Sequence, residues 1–158
     1  MSEQINILVG TMTGTAEMVA DEMKAVLEAA DFTVEILPMD NLDAGVFERP
    51  GLYVICTSTY GQGDVPDNAR AFFEDLQAKR PDLSRIRYGV VGLGDSTYSD
   101  TYNNGGKQFD DLLASLGAVR IGDRLEHNAS GSDLPEAAGV DWVRAWLELL
   151  SPLAVAAE

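Results

Sequence analysis

The chain has 158 residues, the size of one ordinary domain and long enough to bury a full core. A formal charge of −15 argues against nucleic acid, whose phosphates would repel it, and favours solubility and attraction to a basic partner. No apolar run is long enough to span a bilayer, the start Met1-Ser2-Glu3-Gln4 has no signal-peptide pattern, and Cys56 is the only cysteine, so no internal disulfide forms and a reducing, cytoplasmic setting is expected.

Apolar runs and helical patterns alternate along the chain. Residues 5–9 read as a strand, and 16–30 as a helix with Ala16, Val19, Ala20, Met23, Leu27 and Ala30 on one face. A second strand covers 32–37, stopped by Pro38, and a third, unbroken and apolar, covers 52–57 as if buried on both faces. A helix follows over 68–78 through Ala69, Phe72, Phe73 and Leu76, then a strand at 88–91. Residues 106–116 read as a helix through Phe109, Leu112, Leu113 and Leu116, closed by Gly117. A fifth strand is expected over 119–125 and a last helix over 140–150, with a frayed tail from Ser151 to Glu158.

Strands alternating with about five helices imply right-handed crossovers and a parallel sheet covered on both faces. The expectation is an α/β, single-domain, doubly wound sandwich over residues 1–150, its five-stranded sheet ordered 2-1-3-4-5. Its ligand site then lies at the carboxyl ends of strands one and three, where the chain divides.

Three loops fall at that end. The first, Gly10-Thr11-Met12-Thr13-Gly14-Thr15-Ala16-Glu17, joins a strand to a helix and offers backbone N–H groups, three threonine hydroxyls and a positive helix end. A triphosphate loop needs Gly-Lys-Ser/Thr; here Thr15 follows Gly14 and the loop has no cation, so it suits a single phosphate. It equally suits a Thr-capped turn that binds nothing. The second loop, Ser58-Thr59-Tyr60-Gly61-Gln62-Gly63-Asp64-Val65-Pro66-Asp67-Asn68, places a large ring among polar residues and glycines. The third, from Gly92-Leu93-Gly94-Asp95-Ser96-Thr97-Tyr98 to Tyr102-Asn103-Asn104, adds two more rings. Gly92 and Gly94 begin a Gly-x-Gly-x-x-Gly pattern, but Thr97 stands where the third glycine belongs. A phosphate cradle beside aromatic rings describes a site for a flat heterocycle carrying one phosphate.

On these three loops, in order, and over roughly residues 5–150, the chain resembles the flavodoxins, particularly the short-chain, MioC-like ones. Thr-Met-Thr-Gly-Thr-Ala-Glu (11–17) is similar to their FMN-phosphate loop. Thr-Tyr-Gly-Gln-Gly-Asp-Val-Pro-Asp-Asn (59–68) and Gly-Leu-Gly-Asp-Ser-Thr-Tyr (92–98) resemble the two flavin-flanking loops in the FMN domains of cytochrome P450 reductase and sulfite reductase. The resemblance implies an FMN cofactor. It assigns the phosphate to Thr11, Thr13, Gly14, Thr15, Ala16 and the Met12 amide. Tyr60 and Tyr98 would sandwich the ring, with Gly61 near flavin N5. Ser58, Thr59, Gln62, Gly63, Leu93, Gly94, Asp95 and Ser96 would shape the pocket, with Tyr102 beside it. Between Tyr98 and Lys107 the chain has one residue more than those domains, in the run Asn103-Asn104-Gly105-Gly106, which leaves the path of this loop open.

The implied function is a one-electron carrier, not an enzyme. An NADPH-dependent flavodoxin/ferredoxin reductase is the expected donor, and a cytochrome P450 or a radical enzyme the expected acceptor. No membrane partner is expected, and transient docking favours a monomer. Asp64, Asp67, Asp95 and Asp100 crowd these loops and would disfavour added negative charge on the cofactor. A receiver domain would need an acidic cluster after strand one, an Asp ending strand three and a Lys ending strand five, and the chain has none of these. A small FMN-dependent NAD(P)H oxidoreductase and an FMN-holding regulatory module stay open as alternatives. His127, the only histidine, supports neither a metal site nor a catalytic triad. Cys56, Trp142 and Trp146 read as packing, and Asp110-Asp111 and Glu74-Asp75 as solvated helix faces.

Overall fold

The computed structural model describes residues 4–10, 15–39, 42–48, 51–58, 67–94, 104–122, 124–128 and 135–157. In chain order these form β1 (Gln4–Gly10), α1 (Thr15–Ala29), β2 (Thr33–Pro38), β3 (Gly51–Ser58), α2 (Asp67–Lys79), β4 (Ile86–Gly94), α3 (Asn104–Ser115), β5 (Val119–Arg120), β6 (Leu125–Asn128) and α4 (Pro135–Ala157). A short 3-10 helix, Ala44–Glu48, precedes β3. Every pairing is parallel, in the order β2-β1-β3-β4, and both β5 and β6 pair with β4 at the next position. This is the doubly wound 2-1-3-4-5 order expected from the pattern, with four α-helices among the described residues where about five were expected.

Alternation along the strands builds two cores. Ile5, Ile7 and Val9 of β1 and Val54 and Cys56 of β3 pack with Met23 and Leu27 of α1 and Val143 and Trp146 of α4. Leu8, Tyr53, Ile55, Tyr88 and Val90 turn the other way, onto Phe72 and Leu76 of α2 and Phe109 and Leu113 of α3. Every residue of β3 from Leu52 to Thr57 is buried, as its unbroken apolar run requires of a strand covered on both faces. On the α4 side the Trp142 and Trp146 rings stack with centroids 5.5 Å apart, and the Trp146 indole N–H donates to the Ile121 carbonyl at 3.1 Å. Both tryptophans are packing residues. Among the described residues no helix is long and apolar enough to cross a membrane.

Four expectations need correction. The fifth strand is split into β5 and β6, because Gly122 takes a left-handed φ of +73° that a continuing strand cannot contain. Ala30 is not on the buried face of α1 but in an exposed turn, since the helix closes with the Phe32 N–H on the Leu27 carbonyl and Asp31 at φ +72°. The last helix begins at Pro135, whose missing N–H is harmless in a first turn, and it continues past Leu150. Asp110 is not solvated; it is 4 % exposed, and only its neighbour Asp111 faces water, paired with Lys107 at 2.7 Å.

The Asp110 carboxylate is satisfied on both oxygens. The Tyr88 hydroxyl donates to Oδ1 at 2.7 Å, and the guanidinium groups of Arg120 and Arg124 converge on Oδ2, Arg124 at 2.7 Å. Burial first, and then the adjacent carboxylate, push the Tyr88 hydroxyl above its ordinary pKa.

Gly117 closes α3 with the Gly117 N–H on Ala114 and the Ala118 N–H on Leu113, at φ +102°. Gly117→Ala should therefore cost about 1–2 kcal/mol, the penalty of a Cβ in the left-handed region. Urea unfolding of the two proteins measures it.

Candidate functional site

Three neighbouring strands end together. Gly10, the last residue of β1, lies opposite Thr57; Ser58, the last of β3, lies opposite Leu93; Gly94, the last of β4, lies opposite Asn128. The connections to α1, α2 and α3 therefore all leave one edge of the sheet. From β1 the chain winds outward to β2 on one side, and the later strands build on the other, so the strand order reverses between β1 and β3, the position at which doubly wound sheets bind ligands.

The carboxyl ends of β1 and β3 are tightly built. A Cβ on Gly10 would stand 2.9 Å from Thr57 Oγ1, 3.0 Å from Met39 Sδ and 3.1 Å from Ala69 Cβ, so only glycine lets β1, β3 and α2 meet there. Ala16, in the first turn of α1, is fully buried, and its carbonyl accepts from the Cys56 thiol at 3.5 Å. That contact seats the amino end of α1 on β3, where the helix dipole favours an anion. Thr57 is also fully buried at the same edge.

No Lys or Arg occurs in 10–23, 51–69, 88–106 or 125–143, so an anion held here is held by amides, hydroxyls and the helix end. Burial pushes the Cys56 thiol up to about 12, which removes it as a thiolate nucleophile. Among the described residues no group of His, Cys, Asp and Glu is assembled to hold a metal.

Of the residues expected at the site, Thr15 and Ala16 open α1, Ser58 closes β3, and Leu93 and Gly94 close β4, all at this edge. Thr11, Met12, Thr13, Gly14, Thr59, Tyr60, Gly61, Gln62, Gly63, Asp95, Ser96, Tyr98 and Tyr102 lie outside the described residues, as do Asp64 and Asp100. Asp67 is the first residue of α2. His127 is in β6, opposite Leu93. Two residues escaped the sequence reading. Asn128 stands beside Gly94 only because β6 exists as a separate strand, and Thr57 looked like ordinary strand continuation.

A family model described as Flavodoxin matches residues 7–142. Flavodoxin YqcA of Escherichia coli (strain K12) is 38% identical over 148 residues, which are 94% of this chain and 99% of that protein. Protein MioC of Escherichia coli O157:H7 is 36% identical over 149 residues, 92% of this chain and 97% of that protein. Among solved structures, a cysteine-to-alanine variant of a flavodoxin from Pseudomonas aeruginosa superposes with a TM-score of 0.84 at 33% identity, over 94% of this chain and 99% of that one.

The buried thiol gives a pH dependence with a definite sign. A folded-state pKa of about 12 against an ordinary 9.0 means that Cys56 favours the folded chain fully below pH 9 and progressively less as pH rises toward 12. Tyr88, raised from 10.0, acts in the same direction. The urea midpoint should hold up to about pH 9 and fall above it, and a thiol reagent should label Cys56 only in the unfolded chain.

Proposed function

The chain belongs to the flavodoxin family, a family of electron carriers rather than enzymes, and we propose that it holds one FMN at the carboxyl edge of β1, β3 and β4 and relays single electrons. The observation that carries this reading is the meeting of three loop-bearing strand ends beside the seated start of α1, in a stretch without cations. Such a donor set fits a monophosphate that stays bound. It does not fit a triphosphate, whose extra charge calls for a lysine.

In this reading the α1 end of the site takes the phosphate through the amides and hydroxyls of Thr11, Thr13, Gly14 and Thr15, with the Met12 and Ala16 amides beside them. Tyr60 and Tyr98 enclose the ring, which excludes water from its faces. Gly61 supplies a backbone group near N5. Ser58, Thr59, Gln62, Gly63, Leu93, Gly94, Asp95 and Ser96 line the pocket, and Tyr102 stands at its rim. FMN itself supplies the one-electron chemistry; the protein sets its affinity and potential. The carboxylates Asp64, Asp67, Asp95 and Asp100 raise the cost of a second negative charge and so lower the second potential.

An NADPH-dependent flavodoxin/ferredoxin reductase is the proposed donor and a cytochrome P450 or radical enzyme the proposed acceptor. The surplus of acidic side chains would draw a basic partner surface and repel free NADPH. Cytoplasmic residence and a monomeric state belong to the same proposal.

The test is to add FMN to the chain stripped of chromophore and then NADPH, with and without such a reductase. Stoichiometric FMN uptake, with bleaching only when the reductase is present, is expected. Prompt bleaching by NADPH alone would favour an oxidoreductase, and no uptake would end the reading. Gly10→Ala should weaken FMN binding by about tenfold or more, since overpacking of about 1–3 kcal/mol falls where the first loop leaves β1. Quenching of flavin fluorescence measures it.

A further inference from the structure

The fifth position of the sheet contains an offset. Tyr88 pairs with Arg120 and Val91 with Leu125, so two residues of β4 face four of the opposing chain, a bulge of two residues. An even insertion preserves which face each side chain takes, so alternation alone does not fix it. Flattened, with the β5 register continued, the strand would set Glu126 beside Gly94; as built, Asn128 stands there and Glu126 lies beside Gly92. The bulge thus decides whether a neutral or an acidic residue borders the point where the third loop departs.

What holds the bulge is a carboxylate from another element. Arg120, just before it, and Arg124, its last residue, both donate to Oδ2 of Asp110 in α3. Inside, the Arg120 Nε–H donates to the Gly122 carbonyl at 2.9 Å, the Ile121 N–H to the Tyr88 carbonyl at 2.8 Å, and Trp146 to the Ile121 carbonyl. Asp110 is anchored in turn by the Tyr88 hydroxyl, from the strand on which the register is counted. Two guanidinium groups on one carboxylate oxygen would repel each other without it. The Arg124 stem also runs past the first turn of α3, where a Cβ on Gly106 would stand 3.8 Å from Arg124 Cδ and 3.2 Å from Gly92 Cα. One cluster therefore joins β4, the bulge and the helix into which the third loop runs.

We propose that Asp110 is a positioning residue for the cofactor site: by gathering Arg120 and Arg124 it fixes the bulge, and with it the register of β6 along the end of β4. The role rests on the FMN reading above, and its test separates the two. Amide hydrogen exchange of the chromophore-free chain and its FMN affinity are measured for the wild type, Asp110→Asn, Asp110→Glu and Arg124→Gln. Leu27→Ala, a core change at the far end of α1, serves as a destabilised control.

Arg124→Gln and Asp110→Asn should speed exchange in 125–128 while 52–57 stay protected. They should weaken FMN binding by about tenfold, the usual effect of losing an outer supporting contact at metal sites. Asp110→Glu, which keeps the charge, should restore most of the affinity, and Leu27→Ala should leave it unchanged although the protein is less stable. If Asp110→Asn does not fold, Arg124→Gln carries the same comparison. Wild-type exchange in 125–128 for Arg124→Gln, or undiminished FMN affinity, would overturn the positioning role alone. A wild-type chain that takes up no FMN would overturn the cofactor reading and this role together.

Discussion

The parallel pairing of β1 with β2 on one edge and β3 on the other is the constraint from which the rest of the molecule follows. Parallel strands cannot be joined by a tight turn, so each pairing requires a crossover, and right-handed crossovers place α1 and α2 on opposite faces. The helices that follow β1 and β3 therefore part. Between them lies the edge where Gly10, Thr57 and Ser58 come together, and Gly94 ends beside them. The site is thus a consequence of strand order first and of side-chain chemistry second.

Electrostatics at that edge are unusual for the anion site proposed there. The chain carries a charge of −15 and offers no basic side chain in the segments that meet there. For the proposed FMN phosphate, affinity would come from oriented dipoles, and these work only when held still. The buried Cys56–Ala16 contact and the close approach at Gly10 hold the start of α1 and the end of β1 in place. On the opposite flank, the buried Asp110 cluster fixes the strand beside the end of β4. In the proposed FMN site, rigid packing on both sides would stand in for the lysine that a more highly charged ligand requires.

Whatever depends on near neighbours in sequence was legible. The alternation of Ile5, Ile7 and Val9, the unbroken run from Leu52 to Thr57, and the apolar faces of α2 and α3 follow from local periodicity. What depends on distant neighbours was not. Asp110 looked solvated because Arg120, Arg124 and Tyr88, which neutralise and bury it, lie ten or more residues away. The break in the fifth strand was hidden because a glycine in the sequence does not announce a left-handed φ; Gly122 takes one where the Arg120 side chain donates to its carbonyl. The place of Asn128 opposite Gly94 was hidden with it.

The most direct test of a flavin monophosphate anchored by its phosphate at the start of α1 compares FMN with riboflavin, which has the same ring and no phosphate. Titration of the chromophore-free chain with each, followed by flavin fluorescence, should show tight one-to-one binding of FMN and binding of riboflavin at least about a hundredfold weaker, since charge-assisted hydrogen bonds are individually worth about 1.5–3 kcal/mol. Equal affinity for the two, or binding of neither, would contradict the account.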